Sequence, residues 1–138
     1  MLRAPLNRTT VVSLAARYAA AWCSRQAATV AAFFSPNGSL KVNEAAPAHG
    51  RAAITAVAQG FMTAFPDMQV LMDDVAIEGD GAVFRWTLVG TNTGPDGTGR
   101  SVRISGYEKW RIDANGLIEE SLGHFDGEDY QRQLDGRP

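Results

Sequence analysis

The apolar residues of this chain follow two different periods, one in each half of the sequence. In the first half they recur at intervals of three and four residues, as on one face of an amphipathic helix. Pro66 and the run Ser35-Pro36-Asn37-Gly38 interrupt that period, because proline cannot continue a helix and Asn-Gly favours a turn. The pattern predicts three helices: one from Thr9 or Thr10 to about Trp22, one from Ser24 to Phe34, and one from Arg51 to Phe65.

The second half of the chain alternates between apolar and polar residues, as half-buried strands do. Glycine-containing turns separate the alternating stretches, so consecutive strands are expected to pair as antiparallel hairpins. Helices followed by such a meander are typical of an α+β domain whose helices cover one face of a curved sheet. The predicted strands are a short one at 39–43 and four longer ones at 68–78, 82–93, 100–112 and 117–125.

The composition is that of one globular domain. The chain has 138 residues, of which 45% are hydrophobic and 20% charged, values that are ordinary for a soluble protein with a real core. We therefore expect a single domain over residues 1–138. Residues 1–8 are expected to form a flexible arm, and residues 127–138 a short tail with a helical turn at 129–134.

Charge and cysteine content exclude several classes of function. The net charge is −2 and the 13 basic residues form no run, so no nucleic-acid-binding surface is expected. Neither a signal peptide nor a membrane span is evident, which favours the cytoplasm. Cys23 is the single cysteine, and His49 and His124 are far apart in the chain. No disulfide or metal site is expected.

The candidate chemistry centres on Glu108, in the last predicted hairpin. Side chains alternate between the faces of a strand, so Glu108 shares its face with Ile104 and Trp110. A carboxylate is costly to bury among such groups unless it has a partner or a function. The alternative is a Glu108 that faces solvent at an edge, paired with Arg103 or Lys109.

The last strand has two possible registers. A three-residue turn would put His124 and Asp126 on the face of Glu108, where His124 could exchange a proton with Asp126 near neutral pH. The alternative roles are a histidine bonded to backbone and an aspartate that caps a short helix. A β-bulge would shift the register by one residue and turn a different set inward, namely Ser121, Gly123 and Phe125.

Four segments, in their order along the chain, resemble a known superfamily. They are Ala16-Arg17-Tyr18, the run from Phe33 to Leu40, the run from His49 to Ile54, and the run from Trp110 to Glu119. Their order is similar to that in the nuclear transport factor 2-like superfamily, in its SnoaL-like polyketide cyclase and ketosteroid isomerase branches. The resemblance implies a cone-shaped α+β barrel, with three N-terminal helices on a curved, mainly antiparallel sheet that encloses an apolar pocket. It also implies a homodimer.

The resemblance implies roles for individual residues. Ketosteroid isomerases place a hydrogen-bonding tyrosine in the first helix, which Tyr18 matches, and an acid in the penultimate strand, which Glu108 matches ahead of the turn at Asp113. Their general base is an aspartate at the end of the first strand, and residues 40–44 contain none. SnoaL-type cyclases instead end the last strand with a carboxylate, which Asp126 matches.

Two functions fit these residues. The first is a cofactor-independent enzyme acting on an apolar carbonyl compound, by ring closure or enol isomerisation. Asp126 and His124 would then move the proton, while Tyr18 and protonated Glu108 would stabilise the oxyanion. The second is a non-catalytic module for ligand binding or association, which the missing first-strand aspartate favours.

Both functions use the same pocket, with a small apolar molecule as partner and no cofactor or metal. The outward face of the penultimate strand, with Arg103, Ser105, Tyr107 and Lys109, is compatible with a contact between subunits. The pocket is expected to be lined by Tyr18, Trp22, Phe61, Phe84, Trp86, Ile104, Glu108, Trp110 and Phe125.

Overall fold

Four helices pack on a six-stranded, mainly antiparallel curved sheet in the computed structural model, which describes residues 6–137. The predicted α+β class and the packing of helices on a curved sheet are confirmed, although the sheet does not close into a barrel. The elements are α1 (Arg8–Trp22), α2 (Ala27–Ala31), β1 (Phe34–Val42), β2 (Ala48–His49), α3 (Arg51–Ala64), β3 (Gln69–Glu78), β4 (Gly81–Thr91), β5 (Ser101–Ile112), β6 (Ile118–Phe125) and α4 (Gly127–Asp135).

Helix α1 brings its predicted apolar stripe to the sheet. Its N-cap is Asn7, whose side chain accepts a hydrogen bond from the Thr10 N–H at 2.9 Å. The cap therefore lies two residues before Thr9, the first of the two predicted positions. Residues 1–5 of the predicted flexible arm lie outside the described residues, and Arg8 already belongs to α1. The buried stripe of the helix includes Val11, Leu14, Ala15, Tyr18 and Trp22.

The sheet has the strand order β2-β1-β6-β5-β4-β3. Strands β3 to β6 pair in sequence as antiparallel neighbours, as the turns between them predict. Strand β1 joins the sheet beside β6, to which it runs parallel, and the two-residue β2 forms the edge. No helix within residues 6–137 is long and apolar enough to span a bilayer.

The start of β1 differs from the sequence-based expectation. The second helix was predicted to reach Phe34, but it ends at Ala31, and Phe34 begins β1 by pairing with Ile118 of β6. The register then shifts between Phe34 and Ser39, so the predicted turn at 35–38 is an irregular part of the strand. The cause is a partner more than eighty residues away, which no local pattern reports.

A tight turn and a bulge set the register of β6. The side chain of Asp113 accepts hydrogen bonds from the Asn115 and Leu117 N–H groups at 2.8 and 3.0 Å, and Gly116 has a φ of 80°. Pairing of β5 with β6 then shifts between Arg111 and Ile112. Beyond this shift, Glu108 pairs with Gly123, which places the two residues side by side.

Candidate functional site

Glu108 is a buried acid on the inner face of the sheet. It lies in the middle of β5, and its residue is only 8% exposed. Its strand neighbours on the same face are apolar, as the alternation of the strand predicts. The alternative in which Glu108 lies exposed at an edge beside Arg103 or Lys109 is excluded.

Three side chains donate hydrogen bonds to one oxygen of Glu108. Ser121 Oγ lies 2.7 Å from Glu108 Oε1, Tyr18 Oη 2.9 Å and Trp110 Nε1 3.1 Å. Tyr18 and Ser121 are both 0% exposed, so these bonds are shielded from water. Because Oε1 already accepts three donors, a proton on this carboxyl group belongs on Oε2.

The surroundings of Glu108 favour its neutral form. Burial raises the pKa of the Glu108 carboxyl, because a charged group loses its hydration in an apolar site. The bonds from Ser121, Trp110 and Tyr18 act against this and hold the pKa lower than burial alone would. Burial also raises the pKa of Tyr18 well above its usual range, and a negative charge on Glu108 would raise it further. The tyrosine therefore stays a donor.

Aromatic rings close off the side of the carboxyl group that Tyr18 occupies. The Tyr18 ring meets Trp110 and Phe84 edge to face, with centroids 5.2 and 5.5 Å apart. Phe84 and Trp110 stack on each other at 5.0 Å. Such contacts hold the rings in place and exclude water. Tyr18, Phe84 and Trp110 thus form the support of Glu108, and none of the three borders the cavity beside it.

A small, partly open cavity lies next to Glu108. Its volume is about 50 Å³, which is smaller than the ~150 Å³ that holds a benzene molecule. Its walls are almost wholly apolar, as expected for a small-molecule site. Of the predicted lining residues, Trp22, Phe61, Trp86, Ile104, Glu108 and Phe125 border it, joined by Leu40, Val42, Val70, Leu88, Gly123 and His124.

The structure adopts the bulged register of β6. Ser121, Gly123 and Phe125 are opposite Trp110, Glu108 and Gly106 on the inner side of the sheet. Ser121 was predicted to point inward in this register, but its bond to Glu108 was not predicted. Only the register reveals it, since a serine between Glu120 and Leu122 carries no signal of its own.

His124 and Asp126 are not brought together with Glu108 by this register. His124 is exposed at the cavity rim, and its ring lies 5.6 Å from that of Tyr107, on the outer face of the sheet. Asp126 is exposed and caps α4, accepting a hydrogen bond from the Asp129 N–H at 3.0 Å. The bulge in the hairpin is the physical reason, because a shift of one residue exchanges the faces of a strand.

An amide side chain, that of Asn43, directly follows β1. Asn43 Oδ1 accepts a hydrogen bond from the Phe125 N–H at 2.9 Å, and the Asn43 N–H donates to Gly123 O at the same distance. Asn43 therefore fastens β1 to β6. Within residues 6–137, no group of three His, Cys, Asp or Glu side chains is arranged to hold a metal ion.

Comparisons with solved structures show the same fold. A hypothetical protein with a ketosteroid isomerase-like fold from Catenulispora acidiphila, in complex with trimethylamine, is 16% identical with a TM-score of 0.80, over 91% of this chain and 93% of its own. A Jannaschia protein provisionally named a SnoaL-like polyketide cyclase is 18% identical with a TM-score of 0.81, over 100% and 99%. TerC, co-crystallised with polyporic acid, is 13% identical with a TM-score of 0.74, over 91% and 98%.

The sequence itself carries the signature of one family. No curated protein is similar enough in sequence to count as a relative. The profile of the SnoaL-like domain family, however, matches residues 15–121, from the middle of α1 to Ser121 in β6. This match includes Tyr18, Glu108, Trp110 and Ser121, and spans well over half of the chain. The chain therefore belongs to the SnoaL-like domain family.

Proposed function

We propose that the cavity binds a small apolar molecule with a carbonyl group, and that Glu108 acts on that carbonyl as a general acid without a cofactor. The observation that carries the proposal is the convergence of three donors on Glu108 Oε1. Because these three donors occupy Oε1, the proton of the carboxyl group is held by Oε2. A neutral carboxylic acid beside an apolar cavity can donate a hydrogen bond to a carbonyl oxygen.

The reaction that this arrangement fits best is enolisation. The carbonyl oxygen of the ligand takes the proton of Glu108 Oε2 while the neighbouring carbon loses a proton to water, and Oε2 is then reprotonated from solvent. The three donors on Oε1 stabilise the carboxylate that forms in between, since hydrogen bonds to a charged group are stronger than those to a neutral one. The same step is part of enol isomerisation and of ring closure through an enol.

The matched variant for testing this role is Glu108→Gln. The amide oxygen of glutamine can still accept from Tyr18, Trp110 and Ser121, so the NH₂ group takes the place of Oε2 and still donates to a carbonyl. It cannot release a proton. We therefore expect the variant to keep ligand affinity and to lose proton transfer.

The experiment uses a panel of ketones from acetone to acetophenone, because the cavity is smaller than a benzene-sized site and aryl ketones require its mouth to widen. Binding is followed by tryptophan fluorescence, and enolisation by NMR as exchange of α-hydrogens for deuterium. The proposal expects exchange to fall by roughly 100-fold or more in Glu108→Gln. Equal exchange in both proteins would exclude Glu108 as the acid.

A second candidate function is ligand binding without catalysis. The exposed positions of His124 and Asp126 favour it, because among the residues that border the cavity only Glu108 is a buried acid or base. The same assay separates the two candidates. Ketone binding with no deuterium exchange above the buffer rate would support the binding module, and would remove the enzymatic proposal.

We also propose that two copies associate through the outer face of the sheet. Leu122 and Leu71 are 42% and 45% exposed. The pairing of the strands places Leu122 beside Lys109 and Leu71 beside Thr87, on the face that carries Tyr107. Leu122→Glu is expected to shift a dimer to monomer in sedimentation equilibrium. A wild-type protein that sediments as a monomer at high concentration would contradict this contact.

A further inference from the structure

Two hydrogen-bond donors in the cavity wall have no acceptor. The indole N–H groups of Trp22 and Trp86 are buried and make no hydrogen bond within the described residues. The chain has three tryptophans, and the third, Trp110, donates to Glu108. An indole nitrogen only donates. A buried donor without an acceptor is unfavourable and rare, so each of these two calls for a partner that the protein does not supply.

The two indoles approach the cavity from different elements. Trp22 ends α1 and packs edge to face on Phe61 of α3, with ring centroids 6.1 Å apart. Trp86 lies in β4 and packs on Phe125 at 6.0 Å. Both border the cavity that Glu108 borders. A molecule in this cavity would therefore meet a donor-bearing ring on the helix side and another on the sheet side.

Trp22 has one polar group close by, the hydroxyl of Tyr18. Its indole N–H is near enough to act against the rise in the Tyr18 pKa, but the contact lacks hydrogen-bond geometry. The Tyr18 hydroxyl donates its own proton to Glu108. Trp86 Nε1 also has no hydrogen-bond partner in the part of the chain that the structure describes. Both donors therefore remain unpaired.

We propose that the cavity selects ligands that carry two acceptor oxygens, one for Glu108 and a second for the indole N–H of Trp22 or Trp86. This inference rests on the proposed function of Glu108 as a donor to a carbonyl group. The ligand class is a compact, uncharged dicarbonyl compound. Both indole nitrogens are buried, so a ligand that widens the cavity has to displace the rings before an N–H can meet its second oxygen.

The same set of groups disfavours a cation. With Glu108 neutral, its acidic proton and the two indoles all offer hydrogen to the ligand, and an ammonium group brings only positive charge or further donors. The aromatic walls alone would attract a cation, so the two classes of ligand can be told apart by experiment.

The experiment compares a cyclic diketone with the corresponding monoketone. The carbon between the two carbonyl groups is fully methylated in the diketone, which prevents enolisation there and keeps the compound neutral. We expect the diketone to bind about tenfold more tightly, which is the effect of one additional hydrogen bond. Equal affinity would overturn it while leaving the proposed function intact. Binding of neither compound would overturn both.

NMR of the indole protons identifies the donors directly, since the chain has only three of them. The diketone is expected to shift the Trp22 or Trp86 signal downfield. The Trp110 N–H is already bonded to Glu108, and its signal is expected to shift equally with the diketone and the monoketone, because both ligands bond to Glu108. A diketone preference with no shift at either Trp22 or Trp86 would overturn the assignment.

Two kinds of variant separate the N–H group from the shape of the ring. Trp22→Phe and Trp86→Phe remove each donor in turn, and replacement of either tryptophan by its benzothiophene analogue removes the N–H and retains the ring size. The preference is expected to disappear with one of the two donors in both kinds of variant, so that the diketone and the monoketone bind with equal affinity. A preference that persists in all of them, or tetramethylammonium binding more tightly than the diketone, would contradict the inference.

Discussion

Replacement of Tyr18 by phenylalanine isolates one of the three hydrogen bonds to Glu108. The ring of Tyr18 packs among Trp110, Phe84 and other aromatic side chains, and Phe preserves those contacts. The substitution therefore removes little more than the hydroxyl group, which lies 2.9 Å from Glu108 Oε1. Two donors remain on that oxygen, so no acceptor is left unpaired.

The expected loss of stability depends on the charge of Glu108. A hydrogen bond to a neutral acceptor contributes about 0.5–1.5 kcal/mol and one to a charged acceptor about 1.5–3 kcal/mol. Tyr18→Phe should thus lower the free energy of unfolding by about 1 kcal/mol while Glu108 is protonated, and by about 2 kcal/mol once it is ionised. The larger effect on the ionised form agrees with the pKa of Glu108, because a bond that stabilises the carboxylate lowers that pKa, as the bond from Tyr18 does.

Urea unfolding of the wild type and of Tyr18→Phe, at several pH values, measures this difference. Tyr107→Phe is the matched control, because Tyr107 lies in β5 next to Glu108 but on the opposite face of the sheet. Its effect should stay within about 0.5 kcal/mol at every pH. A Tyr18→Phe effect that does not grow with pH would refute the coupling of the hydroxyl to the charge on Glu108.

Three further substitutions test other parts of the account. Burial raises the pKa of Glu108 in the folded protein. Its contribution to stability is therefore present below the unfolded pKa and is lost as pH rises through the folded pKa. In urea unfolding, Glu108→Gln should reduce this decline of the unfolding free energy with pH. Gly106→Ala puts a Cβ against the backbone oxygen of His124 and 2.7 Å from Cζ2 of Trp86, and we expect a loss of roughly 1–3 kcal/mol in the same assay. Asp126→Ala removes the cap of α4 and should cost about 1 kcal/mol, with ketone affinity unchanged in a fluorescence titration.

The periodic parts of the fold could be predicted from the sequence. The stripe of α1 and the strands β3 to β6 are local patterns repeated over many residues, and each was found within two residues of its bounds. The start of β1 could not be found, because it depends on pairing with a distant partner, Ile118. The strand β2 has only two residues, which is too short to show a period, and it pairs with β1 alone. Asn7 was missed as a cap because two threonines close by fit the same rule.

The candidate site was predictable only in part, for the same reason. Glu108 and Tyr18 stand out by strand parity and by their match to the ketosteroid isomerases, and the structure joins them by a hydrogen bond. Ser121 becomes visible only when the bulge at Arg111 is known. That bulge leaves no trace in the alternation of β6, and it decides that Asp126 is a helix cap and not a neighbour of Glu108.

The protonation state of Glu108 in the folded protein decides whether this residue can act as a general acid. The carboxyl carbon of Glu108, isotope-labelled and assigned by comparison with Glu108→Gln, can be followed by NMR as pH rises. We expect the protonated form to persist above the ordinary titration range of glutamate, and further still with a ketone bound. Titration within or below the ordinary range would mean that the cavity holds a carboxylate, and would contradict a neutral acid at this site.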